Sequence, residues 1–154
     1  MVLIDNTVLT NFVKVSRIDL LKKAFDCIYI TEHVLEEFKL GVRRGVLPDV
    51  SIDLEVLRLK DEEIELYNAL RARLSKGEAS CLAIAKHRSL KVLTDDSDAM
   101  RTANVLGVPV SGTIGVLARC VERGIITKEE GNRILKEMIE KGFYSPISDL
   151  DEFL

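Results

Sequence analysis

Histidine and cysteine are scarce in this chain of 154 residues. The two histidines, His33 and His87, are too few for the multi-histidine sites that commonly bind zinc. The three cysteines, Cys27, Cys81 and Cys120, are widely spaced and odd in number, which argues against a metal cluster and against a disulfide framework. We therefore expect reduced thiols that behave as small buried hydrophobic side chains.

Long apolar runs and an excess of positive charge are also missing. No stretch approaches the roughly 20 residues that span a bilayer, and the N-terminus lacks the basic and apolar regions of a secretory signal. We therefore expect a cytoplasmic protein without a membrane anchor. The net charge of −3 argues against a protein that coats nucleic acid through bulk charge, but it leaves room for an enzyme with a local basic rim.

The chain has enough apolar residues for one substantial core. Hydrophobic residues make up 47% of it and charged residues 31%, which is typical of a folded domain with a charged surface. Short apolar runs of strand length alternate with helical patterns, which predicts an α/β fold with a mainly parallel sheet. We expect one domain over residues 1–154, in which about 125–154 form a helical C-terminal extension.

Helix caps and apolar periodicity place the individual elements. Ser75 with Glu78, and Thr127 with Glu130, have the spacing of capping boxes that open helices. Residues 41–57 are predicted as a loop that includes at most a short edge strand. Strands are predicted at 2–4, 27–30, 91–94 and 109–110, and helices at 7–14, 17–25, 31–41, 61–74, 76–88, 96–106, 113–123 and 127–141, with a last short helix near 148.

Aspartates follow two of the predicted strands at the point where each strand ends. Asp5 comes directly after the strand at 2–4, and Asp95 and Asp96 come directly after the strand at 91–94, with Asp98 just beyond. Functional sites in open α/β sheets form outside the carboxyl ends of the strands. The sequence therefore predicts that these acids meet at one edge of the sheet.

Further acids lie on the intervening helices. Glu36 and Glu37 belong to the helix at 31–41, and Glu78 lies in the first turn of the helix at 76–88. Carboxylates that converge repel one another unless they share protons or bind cations. Oxygen ligands without histidine or cysteine suit Mg²⁺ or Mn²⁺, and such metals serve phosphoryl transfer.

Each acid also has a purely structural interpretation. Asp5 could be only the N-cap of the helix at 7–14, and Glu78 only the capping-box partner of Ser75. One of the two glutamates in the helix at 31–41 is expected to be a solvated surface charge. Any of the aspartates after the strand at 91–94 could be a helix cap. The joint placement of these acids at one sheet edge is what favours a metal site.

The sequence resembles the PIN-domain family of metal-dependent ribonucleases over essentially its whole length. In that family the first strand ends in an aspartate followed by a small polar residue, which VLIDNTVL matches with Asp5 and Thr7. The family's next motif places a glutamate before an apolar residue and a nearby glycine. The segment EFKLG matches it and selects Glu37 rather than Glu36.

The two later motifs of the family are also present. KGEASCLAIA is similar to the helix start that carries an acid among small residues, and this selects Glu78. TDDSDA is similar to the family's Thr-x-Asp-x-Asp pattern, which selects Thr94, Asp96 and Asp98 and makes Asp95 the variable position. GTIGVLARCVERGII and EKGFYSPISDLDEFL resemble a prokaryotic PIN-like subgroup with a helical tail. One departure is Ala99, where many PIN toxins have an aromatic residue.

The resemblance implies a Rossmann-like three-layer α/β/α fold, a pocket that binds Mg²⁺ or Mn²⁺, and endonucleolytic cleavage of RNA. It also implies a homodimer and an antitoxin partner. In this interpretation the metal is held, directly or through water, by Asp5, Glu78 and Asp96. Glu37 and Asp98 complete the site, and Thr7 and Thr94 support its carboxylates.

An acidic pocket repels RNA, so positive side chains must hold the RNA backbone. The structural alternative for each of them is a solvated surface charge. The candidates are Lys14, Arg17, Lys39, Arg43, Arg44 and Arg101.

Two other functions remain open. A phosphatase of the haloacid-dehalogenase type also has an aspartate after its first strand, but it needs a second aspartate two residues later, where this chain has Thr7. A non-catalytic PIN-like module that binds RNA or protein would be indicated by a broken acid set. Asp5, Glu37, Glu78 and Asp96 are all present.

Overall fold

Five short parallel strands form the centre of the computed structural model, which describes residues 1–154. The strands lie in the order β3-β2-β1-β4-β5, and every neighbouring pair is parallel. The chain runs outward from β1 to β3 and then returns to place β4 beside β1. The strands are β1 (Val2–Ile4), β2 (Ile28–Thr31), β3 (Glu55–Leu57), β4 (Lys91–Leu93) and β5 (Val110–Ser111).

Eight α-helices enclose the sheet. Helices α1, α2, α7 and α8 pack together as one group, and α4, α5 and α6 pack as a second, while α3 contacts both α1 and α5. This arrangement confirms the predicted α/β/α fold with a parallel sheet. The helices are α1 (Asn6–Lys14), α2 (Ile18–Ala24), α3 (Glu32–Arg43), α4 (Asp61–Leu70), α5 (Lys76–Arg88), α6 (Ser97–Leu106), α7 (Thr113–Glu122) and α8 (Lys128–Glu140), and the final turn is a 3₁₀ helix at Leu150–Glu152.

The burial of the sheet on both faces explains why its strands appear in the sequence as continuous apolar runs. All three residues of β1 are buried, because helices cover both faces of a parallel sheet and leave no polar side for alternation. Helix α5 is buried on nearly all sides from Gly77 to Ala85, with small residues where neighbouring elements approach. A helix without a polar face fits such a central position.

Several predicted boundaries differ from those observed. The predicted end of α3 at Gly41 is wrong: α3 continues to Arg43, and the residue with a left-handed backbone is Gly45, with φ of 74°. Gly41 instead lies against Leu47, whose side chain a Cβ at this position would strike. Helix α4 ends at Leu70, four residues before the predicted end.

The predicted caps are only partly formed. Ser75 and Glu78 make both hydrogen bonds of a capping box. Thr127 accepts a hydrogen bond from the backbone N–H of Glu130, but the Glu130 carboxylate accepts one from Arg17 instead of returning to the cap. The three cysteines are free, as expected, yet Cys27 is exposed in the turn before β2, contrary to the prediction that all are buried.

The final 3₁₀ turn, Leu150–Glu152, packs onto α8 and contributes Leu150 to the hydrophobic core. Leu150 is fully buried, and the side-chain oxygen of Asn132 accepts a hydrogen bond from its backbone N–H at 2.8 Å. Gly131 lies against Leu150, whose side chain leaves no room for a Cβ there. No helix of the protein is sufficiently long and apolar to cross a bilayer.

A buried ion pair joins α4 to the end of α5. Glu63 is only 1% exposed, and its two carboxylate oxygens accept hydrogen bonds from Arg88, each at 2.8 Å. Burial raises the pKa of Glu63, but the hydrogen bonds from Arg88 and from the backbone of Lys60 outweigh it, so the pKa is lowered overall. Glu63 is therefore ionised and depends on its partner.

Replacing Arg88 tests this dependence. We expect Arg88→Met to lower the free energy of unfolding by about 3 kcal/mol, since it leaves a buried carboxylate without its cationic partner. The double variant Glu63→Leu/Arg88→Met should recover most of that loss. The control is Glu62→Gln, at an exposed neighbouring position, which should change the free energy of unfolding by less than about 0.5 kcal/mol. Urea unfolding measures all three. A loss below about 1 kcal/mol in Arg88→Met contradicts the interpretation.

Candidate active site

Asp5 lies at the carboxyl end of β1 and is both a helix cap and a buried carboxylate. It is 2% exposed. Its Oδ1 accepts a hydrogen bond from the backbone N–H of Asn6 at 2.8 Å. Its Oδ2 accepts from Thr94 Oγ1 at 2.8 Å and from Thr7 Oγ1 at 3.2 Å. Burial raises the pKa of Asp5 more than these hydrogen bonds lower it, and the charge of Asp96 raises it further.

Asp96 follows β4 at the same edge of the sheet. Its Oδ2 accepts a hydrogen bond from the backbone N–H of Ala99 at 2.8 Å, so it is the N-cap of α6. Its own backbone N–H donates to Thr94 Oγ1 at 3.1 Å. Thr94 is fully buried and therefore connects the two aspartates, since it donates to Asp5 and accepts from Asp96.

Glu78 reaches this edge from the first turn of α5. Its Oε1 accepts a hydrogen bond from the backbone N–H of Ser75 at 2.9 Å, so Glu78 forms the predicted capping box with Ser75. Burial raises the pKa of Glu78, and the charges of Asp5 and Asp96 raise it further. The hydrogen bonds with Ser75 lower the pKa, but the net shift is upward. The carboxylate is therefore a cap that also lies within the field of the two aspartates.

Glu37 reaches the same place from α3. Burial, together with the charges of Asp5 and Glu78, raises its pKa to about 7. Its Oε1 is buried and forms no hydrogen bond of good geometry, although the backbone of Gly77 and the side chain of Ser75 lie near the carboxylate and lower its pKa in part. The neighbouring Gly77 is required for space, because a Cβ at this position would collide with that oxygen. The alternative, Glu36, has a side chain that is 64% exposed and lies on the surface.

We call Asp5, Glu37, Glu78 and Asp96 the acidic cluster. No Lys, Arg or His nitrogen lies within 4.0 Å of any of these carboxylates, although ion pairs occur elsewhere in the chain. Their mutual repulsion is therefore not neutralised by the protein itself. Asp98 lies outside the cluster: it is exposed in the first turn of α6, where it forms an ion pair with Arg101.

The chemistry of the acidic cluster fits a hydrated divalent cation. Its donors are carboxylate oxygens, and the Oε1 of Glu37 is a buried acceptor that forms no hydrogen bond of good geometry. No group of three or more His, Cys, Asp or Glu side chains is arranged to hold one metal ion by itself. Water molecules would therefore have to complete the coordination, as is common for Mg²⁺.

Three of the predicted RNA-binding cations have protein partners. Arg17 donates hydrogen bonds to Asp19 and Glu130 and ties α2 to α8. Lys14 and Lys141 each donate to the other's backbone carbonyl, at 3.5 Å and 3.0 Å, and so cap the C-terminal ends of α1 and α8. Arg101 is paired with Asp98.

The other three cations are free. Lys39, Arg43 and Arg44 are all exposed at the end of α3 and form no ion pair. Lys39 and Arg43 line a cleft of about 570 Å³ between α3 and residues 49–52. Lys39 and Arg43 lie on the helix that also carries Glu37, and Arg44 is the C-cap of that helix.

The role of Asp95 does not follow from the sequence, where it is only the variable position of its motif. The Oδ1 of Asp95 accepts from the backbone N–H of Thr113 at 2.9 Å. Its Oδ2 accepts from Thr113 Oγ1 at 2.5 Å and from Asn11 Nδ2 at 3.3 Å. The only sequence signal is the Gly112-Thr113 pair at the start of α7, and nothing local connects that pair to Asp95.

The raised pKa of Glu37 predicts a pH dependence of stability. Between its usual value of 4.5 and about 7, the folded protein binds a proton that the unfolded chain has lost. The contribution of Glu37 to the free energy of unfolding is therefore fully present below about pH 4.5 and is lost as pH rises through about 7. Glu37→Gln removes that contribution, so the variant should gain stability relative to the wild type from about pH 5 to 7.

Urea unfolding at about pH 5, 6, 7 and 8 measures this difference. The exposed neighbour in Glu36→Gln is the matched control and should follow the wild-type profile. Parallel profiles for wild type and Glu37→Gln would show that the carboxyl group is not perturbed.

Comparisons with known proteins agree with this geometry. The family model DUF3368, a PIN domain, matches residues 1–154. A PilT N-terminus domain protein from the hyperthermophilic archaeon Sulfolobus solfataricus P2 is similar with a TM-score of 0.54 and 17% identity, over 79% of this chain and 93% of that chain. FitAB bound to an IR36 DNA fragment is similar with a TM-score of 0.53 and 16% identity, over 73% of this chain and 95% of that chain.

A toxin–antitoxin complex from Klebsiella pneumoniae has a TM-score of 0.46 and 18% identity, over 65% of this chain and 90% of that chain. That TM-score is too low to support an argument. Because the other two structures are only 17% and 16% identical in sequence, they show a similar fold and nothing more. The comparison with curated proteins finds no match. The family match covers the whole chain and includes both strand ends that supply Asp5 and Asp96, so this protein belongs to the PIN-domain family.

Proposed function

We propose that this protein is a cytoplasmic endoribonuclease that hydrolyses RNA phosphodiester bonds with Mg²⁺ or Mn²⁺ at the acidic cluster. The observation that carries the proposal is that Glu37 and Glu78 join the strand-end Asp5 and Asp96, and that none of the four carboxylates has a cationic partner. Such a cluster is stabilised by a divalent cation, and the cation in turn attracts phosphate.

Each residue of the cluster has a distinct part in this proposal. A bound Mg²⁺ or Mn²⁺ would neutralise the phosphate and lower the pKa of a water molecule. Asp5, Glu78 and Asp96 would hold the metal, mainly through water, since each already accepts a backbone hydrogen bond on one oxygen. Glu37 Oε1 forms no hydrogen bond of good geometry and is the atom available to accept a proton or orient water.

The RNA backbone would approach along the C-terminal half of α3. Lys39 and Arg43 are four residues apart and lie on one face of the helix, where both line the same cleft. Arg44 lies seven residues beyond Glu37, which is two turns or roughly 10 Å along the helix axis. These unpaired cations offset the repulsion between an acidic pocket and a phosphate chain.

Family membership also supports the role of toxin in a toxin–antitoxin pair. The partners in that role are RNA, an antitoxin protein and a second copy of this chain. Growth arrest on expression of the wild type, but not of a variant without nuclease activity, supports the toxin role. Normal growth with an active nuclease argues for RNA processing instead.

Replacing the two strand-end aspartates tests the nuclease proposal. Asp5→Asn and Asp96→Asn should each reduce Mn²⁺-dependent cleavage of an RNA panel by more than about 100-fold, because even indirect supports of a metal typically contribute about 10–100-fold. Asparagine is also a good N-cap, so the melting temperature should change little in Asp96→Asn. The control is Asp26→Asn. Asp26 is exposed and precedes β2 at the amino ends of the strands, so this variant should cleave RNA like the wild type.

Unchanged cleavage in either variant overturns the site assignment. Wild-type protein that binds RNA but cleaves none of the panel with Mn²⁺ would instead indicate a non-catalytic PIN-like binding module.

The basic part of α3 has its own test. In an Asp5→Asn background, which prevents cleavage, Lys39→Gln/Arg43→Gln should weaken RNA binding. The slope of log K against log salt concentration should also become shallower by about 0.7 for each phosphate that the variant no longer neutralises. Fluorescence anisotropy at several salt concentrations measures both effects. Lys136→Gln on α8, also an exposed and unpaired lysine, is the matched control, and an equal weakening in that variant contradicts the proposed path.

A further inference from the structure

The two adjacent aspartates after β4 point in different directions. Asp96 turns toward α6 and the acidic cluster, whereas Asp95 turns toward α1 and α7. The Asp95 carboxylate accepts three hydrogen bonds, from Asn11 and from the backbone and hydroxyl of Thr113. It therefore makes its interactions outside the acidic cluster.

The backbone of Asp95 is nevertheless connected to that cluster. Its N–H donates to Thr7 Oγ1 at 2.9 Å, and Thr7 Oγ1 donates to Asp5 Oδ2 at 3.2 Å. The residues on either side, Thr94 and Asp96, are the two that face Asp5 from this strand end. The three-residue segment 94–96 is thus held by hydroxyl groups on its inner side and by the Asp95 carboxylate on its outer side.

The start of α7 is built to receive this carboxylate. The N-cap of α7 is Gly112, which has no side chain to satisfy the first helical N–H groups, and Asp95 accepts the N–H of Thr113 instead. A Cβ at Gly112 would strike Asp95 Oδ1, although the backbone there is extended and tolerates any residue. A negative charge at a helix N-terminus is also favourable.

We infer that Asp95 is a positioning residue for the metal site: by fixing segment 94–96 to the N-terminus of α7, it sets where Thr94 and Asp96 stand relative to Asp5. The inference rests on the proposed function, because it concerns the same acidic cluster. It adds a residue that touches neither metal nor substrate, and it makes the packing of α7 a determinant of the site.

Asp95→Asn is the direct test, with Mn²⁺ alone as the probe. Asparagine has the same size but places an amide where one carboxylate oxygen accepted hydrogen bonds. We expect Mn²⁺ affinity, measured by electron paramagnetic resonance, to fall about 10- to 100-fold, the usual effect of removing a residue that orients metal ligands. Ser97→Ala, two residues further along and without a side-chain hydrogen bond, should bind Mn²⁺ like the wild type.

A second pair of variants keeps the inference testable if Asp95→Asn does not fold. Thr113→Ser retains both donors to Asp95 and should keep wild-type Mn²⁺ affinity. Thr113→Val lacks the hydroxyl donor and should bind Mn²⁺ more weakly, even well below its melting temperature. A purely structural role would lower the melting temperature of Thr113→Val without changing Mn²⁺ affinity, and that result overturns the inference, as does wild-type affinity in a folded Asp95→Asn.

RNA cleavage separates this inference from the proposed function. With an active nuclease, Asp95→Asn should lower kcat while KM for RNA stays close to the wild-type value, because the cations of α3 are untouched. If the wild type binds Mn²⁺ but cleaves no RNA, the proposed function fails, and the Mn²⁺ affinities still decide the role of Asp95.

Discussion

The parallel pairing of β1 with β4 is the constraint on which the rest of the structure depends. The backbone N–H of Asp5 donates to the carbonyl of Leu93 at 2.8 Å, so the two strands end side by side. This register places Asp5 and Asp96 on neighbouring chain segments, with Thr94 hydrogen-bonded between them. Strand order therefore determines the position of the site, since β1 is where the chain reverses its direction across the sheet.

The parts of the fold that follow from local physics were predictable. Apolar runs identified β1, β2 and β4, whereas the exposed edge strand β3 lies in a stretch predicted mainly as a loop. Thr31 and Ser75 marked helix starts through hydrogen bonds within four residues. The errors arose where a distant group competes for a side chain. Glu130 fits a capping box locally, but Arg17 from another helix takes its carboxylate. Gly41 resembles a helix C-terminus in the sequence, but a glycine is needed there because the side chain of Leu47 leaves no room for a Cβ.

The same distinction applies to the acidic cluster. The sequence placed Asp5 and Asp96 correctly at one sheet edge, because strand ends and parallel order are sufficient for that inference. It could not distinguish Asp98, which turns to its own helix neighbour, from the acids that converge. Nor could it find the role of Asp95, whose principal partner, Thr113, lies 18 positions away in the sequence.

Gly77 shows why an intact set of acids is not the same as an intact site. The space that its missing side chain leaves is filled by the carboxylate of Glu37. A single methyl group added there would displace Glu37 while every acidic residue remained in the sequence. A residue with no chemistry of its own therefore helps to determine the geometry of the acidic cluster, and a count of acids alone does not describe that geometry.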